Sequence, residues 1–374
     1  MLKTSKYKVD IWLLVILFLF IVISILTIGS AQNLIATNTL VIKQILWYIA
    51  GFAVAYFIMF IGNDFIYRNA WILYILGIIS LICLLIFATP INNAKCWFSI
   101  PGLGTIQPSE FMKIILIITL GTMIHKFNDE YSNPTVREEF YFLIKVGIIV
   151  LIPSVLTFLQ PDTGVVLIYL LITVTMLFIS GIRYRWFIIA LTFFIALLLG
   201  IVILYFVNTD LFIKIFGTDF FLRIDRLLDW SSGSGYQLEN GLTSIGSGGF
   251  LGMGLNKTPI YFPEPQTDFI FAVYANNFGF LGAILLILLL LLFDIKLIIL
   301  AIKNTNLTNK LIIAGIVGML IYQQFQNIGM TLGIMPITGI TLPFISYGGS
   351  SLISYMIMIG IIFNISNETL RYTN

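Results

Sequence analysis

The sequence predicts an all-α polytopic membrane protein with about ten transmembrane helices and one long extracytoplasmic loop between spans seven and eight. Three observations predict it. Of 374 residues, 59% are hydrophobic and only 10% charged, and the mean hydropathy is +1.02, beyond what a soluble fold keeps dissolved. Apolar runs close to a bilayer-crossing length recur from end to end, separated by polar turns. Basic residues gather in alternate turns, the pattern that sets orientation in a membrane. Spans joined by short loops make one bundle, so residues 1–374 are expected to form a single domain. Nothing in the charge pattern suggests nucleic-acid binding.

The runs are, in order, Ile11 to Ile28, Ile45 to Ile61, Trp71 to Ala88, Phe111 to Ile124, Phe142 to Leu159, Val165 to Ser180, Trp186 to Val207, Phe269 to Phe293, Leu311 to Leu332 and Leu352 to Ile365. The first follows Lys3, Lys6 and Lys8 and superficially looks like a signal peptide, but no small-residue cleavage site follows, so it reads as a retained span. The runs from Phe111 and Leu352 are short and are expected to borrow flanking polar turns. With the N-terminus in the cytoplasm, Arg68, Lys126, Arg137, Arg183, Arg185, Lys303, Lys310 and Arg371 fall on the inner side, while the short outer loops hold Lys43 and Lys95. Both termini are therefore expected in the cytoplasm. Cys83 and Cys96 are too few for a disulfide framework or a metal site.

The segment 208–267 is the longest non-spanning stretch and so the expected carrier of function. Within it Phe220, Phe221, Ile224, Leu227 and Leu228 recur at helical spacing, with Arg223, Arg226 and Asp229 between them; either an interfacial helix or a loop helix packed on the bundle fits. Ser231 to Gly235 reads as a hinge. The glycine-rich stretch Ile245 to Gly254 permits close backbone approach to an anion without forming a dinucleotide or P-loop signature. No span shows the paired Gly and Pro interruption of many secondary transporters.

Ionisable groups at membrane depth are costly, so each invites a role. Glu110 and Lys113 share a helix face at the start of the fourth span, and read either as an ion pair that fixes the helix or as a polar wall for a charged ligand. Before them, Lys95 offers a cation and Trp97 an interface-seeking ring. Asp162 is placed to cap the sixth span. Pro336 and Pro343 break the backbone within Gly333 to Ser351, and irregular backbone at a membrane implies a cavity. Asp268 opens the eighth span; spacing alone favours a helix N-cap, with a general base of raised pKa as the other reading. The one histidine, His125, lies at the far end of the fourth span.

Six stretches together carry a resemblance: NAKCWF (Asn93 to Phe98), IQPSEFMK (Ile106 to Lys113), LQPDTG (Leu159 to Gly164), IGSGGFLGMGL (Ile245 to Leu255), TDFIFA (Thr267 to Ala272) and NIGMTLGIMPITGITLPFISYGGSS (Asn327 to Ser351). In order and position they resemble the shape, elongation, division and sporulation (SEDS) family over almost the whole chain. The resemblance implies a peptidoglycan glycosyltransferase of the bacterial cytoplasmic membrane that polymerises lipid II at its outer face. It also implies a class B penicillin-binding protein as transpeptidase partner, beside other elongation or division machinery. It puts the catalytic aspartate at Asp268, a functionally sensitive tryptophan at Trp97 and the polar pair of a central cavity at Glu110 and Lys113. Further substrate contacts are expected at Lys95, Arg223, Gln237, Ser247, Thr267, Asn327 and Ser346. Gln266 stands where the family commonly has a histidine, Asn276 and Asn277 replace two glutamates, and Cys96 replaces a serine or arginine. Thr341 is similar to division and sporulation members, whereas NAKCWFSIPG, NIGM and the short tails favour the elongation, RodA-like type.

In the reaction so implied, Asp268 takes the proton from the 4-hydroxyl of the acceptor's N-acetylglucosamine, with inversion at the donor's anomeric carbon. Lys95, Lys113 and Arg223 or Arg226 would oppose the pyrophosphate, with a divalent cation (Mg or Mn) as the one cofactor considered. The glycine-rich segment and the span edges would admit the polyprenyl tail. Two rivals stand beside this reading. A lipid II flippase would use the same cavity without bond formation, and an ion-coupled solute transporter would need broken helices and mid-membrane carboxylates. The partner's single span is expected against the almost uncharged Ile284 to Leu292 and Ile312 to Ile321.

Overall fold

The computed structural model describes residues 7–90, 95–100, 104–218, 220–221 and 235–372. Apolar runs too long for one strand and too apolar for water fold as helices, which satisfy every backbone group within the segment. The helices are α1 (Ile11–Leu34), α2 (Leu40–Ile61), the short α3 (Asn63–Arg68), α4 (Ala70–Phe87), α5 (Pro108–Glu130), α6 (Val136–Leu159) and α7 (Thr163–Ile179). There follow α8 (Arg185–Val207), α9 (Thr209–Phe216), α10 (Tyr236–Ser247), α11 (Ile270–Lys303), α12 (Leu307–Thr331) and α13 (Gly349–Tyr372). A two-stranded antiparallel hairpin, β1 (Phe98–Ile100) with β2 (Gly104–Ile106), precedes α5.

Each predicted run maps onto one long helix. Among the described residues, eight helices are long and apolar enough to cross a membrane: α1, α2, α4, α6, α8, α11, α12 and α13. Of the other two predicted spans, α7 is a shorter apolar helix of 17 residues. Helix α5, which carries Glu110 and Lys113, runs through the middle of the bundle between α4, α7 and α12. The short apolar runs do take up polar flanks, since α5 extends to Glu130 and α13 starts at Gly349. Local signals set several helix starts. Asp10 accepts from the Trp12 N–H at the head of α1, and Thr135 with Glu138 forms a capping box at the head of α6.

Burial separates the helices into an inner and an outer set. Leu116, Ile117, Leu120, Ile313, Ile316, Met319, Ile361 and Ile362 of α5, α12 and α13 are fully enclosed, whereas α8 has no buried residue at all. The enclosure of α12 corrects one expectation. Ile312 to Val317, Met319 and Leu320 pack inside the bundle and only Ile321 of that segment is exposed, so the continuous exposed face is the α11 strip through Leu285, Leu288 and Leu292.

Both chain ends meet at one end of the bundle, where Lys8 Nζ donates to the Leu370 carbonyl (3.1 Å) and Lys296 pairs with Asp10 (2.8 Å). The turns that lead into α5, α7, α11 and α13 gather at the opposite end. The long loop there is partly helical, containing α9 and α10. The pattern from Ile224 to Asp229, with Arg223 and Arg226, and Ser231 to Ser234 of the expected hinge lie outside the described residues; Gly235, its last residue, precedes α10.

A second difference concerns the eighth span. Gly279 lies inside α11 with φ 66° and ψ −167°, so the helix is broken there by glycine without proline. The glycine-rich stretch repairs the break. Met253 and Gly254 donate N–H groups to the Asn276 and Asn277 carbonyls (2.9 and 3.1 Å), and Phe280 donates to Gly249 (2.9 Å). A Cβ on Gly248 would stand 2.6 Å from the Ala275 carbonyl, and one on Gly252 would overlap the Asn277 carbonyl. Close packing onto α11 therefore accounts for these glycines, where the sequence suggested an anion contact.

Candidate active site

Irregular backbone needs partners, and the segment between α12 and α13 receives them from α1 and α2. Ser24 donates to the Ile345 carbonyl (2.9 Å), Gln44 to the Ser346 carbonyl (3.4 Å), and the Tyr48 hydroxyl to the Phe344 carbonyl (2.5 Å). Phe344 adopts a left-handed φ of 63°, costly for a bulky residue, and is wedged among Phe20, Phe293 and Tyr355 with centroids 5.2–5.5 Å away. The loop so fixed is laced to the turn ahead of α11. Ser346 Oγ donates to the Thr267 carbonyl (2.6 Å), Tyr347 N–H to the Gln266 carbonyl (2.8 Å), and the Asn327 amide to the carbonyls of Asp268 (2.9 Å) and Ile340 (2.8 Å).

These loops enclose a cavity of about 560 Å3 at the end of the bundle opposite the termini. Its wall carries four carboxylates, Glu110, Asp162, Glu264 and Asp268, with Lys43 as the cation among the lining residues. Trp47, Trp97 and Tyr347 supply aromatic surface, and Thr338 to Thr341 and Gly348 to Ser351 supply backbone and hydroxyls. The expected cavity is thus present, built from the segment in which the two prolines implied it.

Asp268 makes no side-chain hydrogen bond among the described residues. The N-cap position of α11 is Phe269, so the capping role suggested by spacing is not realised. Burial pushes its carboxyl up to about 7, and the neighbouring Glu264 and Asp162 charges add to that shift. A carboxylate so poised accepts a proton near neutral pH.

Asp162 does cap α7, accepting from the Val165 N–H (3.2 Å), and its other oxygen accepts from Gln107 (2.7 Å). Burial lifts it to about 6 against those hydrogen bonds. Gln107 in turn accepts from the Trp97 indole N–H (3.1 Å), so one amide fixes both the ring and the second acid. Glu110 and Lys113 pair at 2.7 Å, with the Lys113 ammonium 5.4 Å from the centre of the Tyr355 ring. The ion pair of the first reading is formed. Glu110 is on the wall, while Lys113 stands behind it, wholly buried.

Of the residues expected to touch substrate, the cavity therefore brings together Asp268, Trp97, Glu110 and Thr267. The others are placed in supporting positions. Lys95 donates to the Leu85 carbonyl (3.3 Å), Gln237 to the Pro263 carbonyl (3.1 Å), and Ser247 accepts from Asn276 (2.8 Å). Asn327 and Ser346 hold the loops from behind, and Arg223 is outside the described residues. Asn276 and Asn277 tie α11 to α10 and to Ser30 of α1. The Cys96 thiol donates to the Gln160 carbonyl (2.6 Å), and burial, with Asp162 nearby, pushes it up to about 12, leaving it unreactive. Sequence reasoning missed Lys43, Trp47 and Glu264. Lys43 had only its place in a short outer loop to mark it. Among the described residues no group of three or more His, Cys, Asp or Glu could hold a metal ion.

A polytopic helical bundle with a carboxylate-lined cavity at one end defines the class, a membrane-embedded protein with a polar cavity. The family model described as "Cell cycle protein", of the FtsW, RodA and SpoVE type, matches residues 6–371, and the chain belongs to that family. It is similar to the probable peptidoglycan glycosyltransferase FtsW of Buchnera aphidicola (33% identity over 89% of this chain and 85% of that one). Among solved structures it is similar to Thermus thermophilus rod shape determining protein RodA (TM-score 0.70, 27% identity, 97% of each chain). It is similar also to a chain of a peptidoglycan synthase complex that coordinates polymerization and crosslinking (TM-score 0.79, 25% identity, 97% of this chain and 98% of that one). Division and elongation names both appear, so these likenesses do not choose between the types.

Proposed function

We propose that this protein is a peptidoglycan glycosyltransferase that polymerises lipid II, with its cavity at the outer face of the cytoplasmic membrane and both termini inside. The observation that carries the reading is Asp268: a carboxylate on the cavity wall, free of capping duty, with a pKa of about 7. Asp268 takes the proton of the acceptor sugar's 4-hydroxyl as that oxygen attacks the donor's anomeric carbon, and the pyrophosphate leaves. Lys43 is the wall cation that meets the departing charge, and Trp97, held by Gln107, offers a face for a sugar ring. Lys113 acts through Glu110, fixing that carboxylate in place.

The family membership and the likeness to a polymerising and crosslinking complex support a class B penicillin-binding protein as partner. The exposed strip of α11 is the face we assign to it. The RodA-like, elongation role is retained on the sequence features given above. Incubating the purified protein with lipid II tests the activity directly: glycan chains are expected, and translocation of lipid II without glycan would establish the flippase instead.

A further inference from the structure

Two glutamines line the cavity, and their amides are engaged differently. Gln107 spends both ends, Nε2 on Asp162 (2.7 Å) and Oε1 on the Trp97 indole (3.1 Å). Gln323 of α12 is 1% exposed and spends only Nε2, which donates to the Tyr355 hydroxyl (2.9 Å). Its Oε1 is buried and has no partner among the described residues. One other lining residue shares that condition, Thr338, whose hydroxyl is buried and unpartnered among the described residues. A buried polar atom is costly to leave unmet, so a ligand that enters this cavity gains most by meeting these two.

Both atoms belong to the Asp268 side of the wall. Asn327, which donates to the Asp268 and Ile340 carbonyls, follows Gln323 by four residues on the same face of α12, roughly 6 Å along the axis. Gln323 therefore lies one turn deeper in the bundle than the tie to Asp268. Thr338 precedes Gly339, and a Cβ at Gly339 would stand 3.5 Å from Asp268 Oδ2. Chemistry narrows the ligand. An amide oxygen only accepts a hydrogen bond, whereas a hydroxyl also donates one. A secondary amide presents the two matching partners, N–H and carbonyl, on atoms far enough apart to reach two separate segments. The 2-acetamido group of an N-acetylhexosamine is such an amide, and it stands two ring carbons from the 4-hydroxyl, about the width of one pyranose.

We propose that Gln323 and Thr338 recognise the 2-acetamido group of the acceptor sugar, Gln323 Oε1 accepting from its N–H and Thr338 Oγ1 donating to its carbonyl. This rests on the glycosyltransferase reading and adds to it what selects the acceptor. With both bonds made, the ring is fixed at its 2-position while its 4-oxygen faces Asp268, so recognition and orientation come from the same contacts. Neither residue takes part in the proton transfer. A site whose buried polar groups are met only by the right substrate rejects analogues that leave them unpaired.

Two synthetic lipid II analogues test this, because each removes one half of the amide on the N-acetylglucosamine. An acetate ester at the 2-position keeps the carbonyl and lacks the N–H, and a free 2-amine keeps an N–H and lacks the carbonyl. The parent protein is expected to use each at least about tenfold less well than lipid II in kcat/KM. Gln323→Met should use the ester as readily as lipid II yet still reject the amine, and Thr338→Val should do the converse. Both substitutions nearly conserve side-chain size, and a melting temperature checks folding. Thr338 lies in a partly exposed loop, so its arm decides the matter should Gln323→Met not fold. Equal use of all three substrates by the parent, or parental discrimination retained in either folded variant, overturns the proposal. Binding is followed in parallel by quenching of indole fluorescence, to which Trp47 and Trp97 on the wall contribute. Glycan made without discrimination overturns the acetamide reading alone. Tighter binding of lipid II than of the analogues, lost in the variants and seen without glycan, upholds it and overturns the polymerase reading.

Discussion

The side-chain amide of Asn327 donates to the main-chain carbonyl of Asp268 at 2.9 Å, and through a second bond to Ile340 at 2.8 Å it ties the turn bearing the proposed base to the irregular loop facing it. One wholly buried side chain of α12 thus sets where Asp268 stands. The base is held through its backbone, which leaves its carboxylate for chemistry.

Asn327→Leu removes both donors and leaves two carbonyls short of a partner. A stability cost of about 1–3 kcal/mol is expected. Because Asp268 then drifts, kcat should fall at least tenfold with KM little changed. Thermal unfolding in detergent and steady-state polymerisation measure the two effects, and an unchanged kcat would show that the tie does not position the base.

The Glu110 and Lys113 pair is buried on both sides, and removing one partner strands the other's charge. Glu110→Gln should destabilise by about 3–5 kcal/mol, while the double variant with Lys113→Met recovers most of it. A double-mutant cycle on melting temperature reads this. Additive single losses would mean that the pair is not coupled.

Gly252 has φ +88° and no space for a side chain beside the Asn277 carbonyl, so Gly252→Ala should disrupt the repair of the broken α11. Gly147→Ala, in open space, should be neutral or slightly stabilising. Protease sensitivity of the segment 248–269 separates the two, and equal resistance would contradict the packing role.

The raised pKa of Asp268 fixes a pH dependence with a definite sign. Its ordinary value is 3.8 and its folded value about 7, so in that window the folded protein holds a proton that the unfolded chain has released. Stability is therefore lost as pH rises from about 4 to about 7 and is level above, and Asp268→Asn should abolish this component. Activity runs the other way, rising with pH through about 7, because the base works deprotonated. A rate that fell over this range would refute the assignment.

Much of this was legible in the sequence because membrane helices announce themselves. Ten apolar runs became ten long helices, and Pro336 and Pro343 marked the loop that encloses the cavity. The Asp162 cap was readable from its spacing to Val165. What stayed hidden depends on contacts between distant segments. Nothing local to Lys43 or Trp47 says that α2 reaches the cavity, and nothing in Ile312 to Ile321 tells a buried apolar face from a lipid-facing one. The glycines from Gly246 to Gly254 looked like an anion loop because their partner, the break at Gly279, lies 25 or more residues on. Asp268 looked like a cap because it stands one residue ahead of the true N-cap position, Phe269.

The central claim is that Asp268 is the base, and the rate of the Asp268→Asn variant tests it most directly. Since Asp268 caps nothing, the amide keeps the shape of the side chain and removes only its ability to take a proton. Purified Asp268→Asn should insert, melt no lower than the parent at pH 7 and build no glycan from lipid II. Glycan made by that variant at near the parental rate would contradict the account.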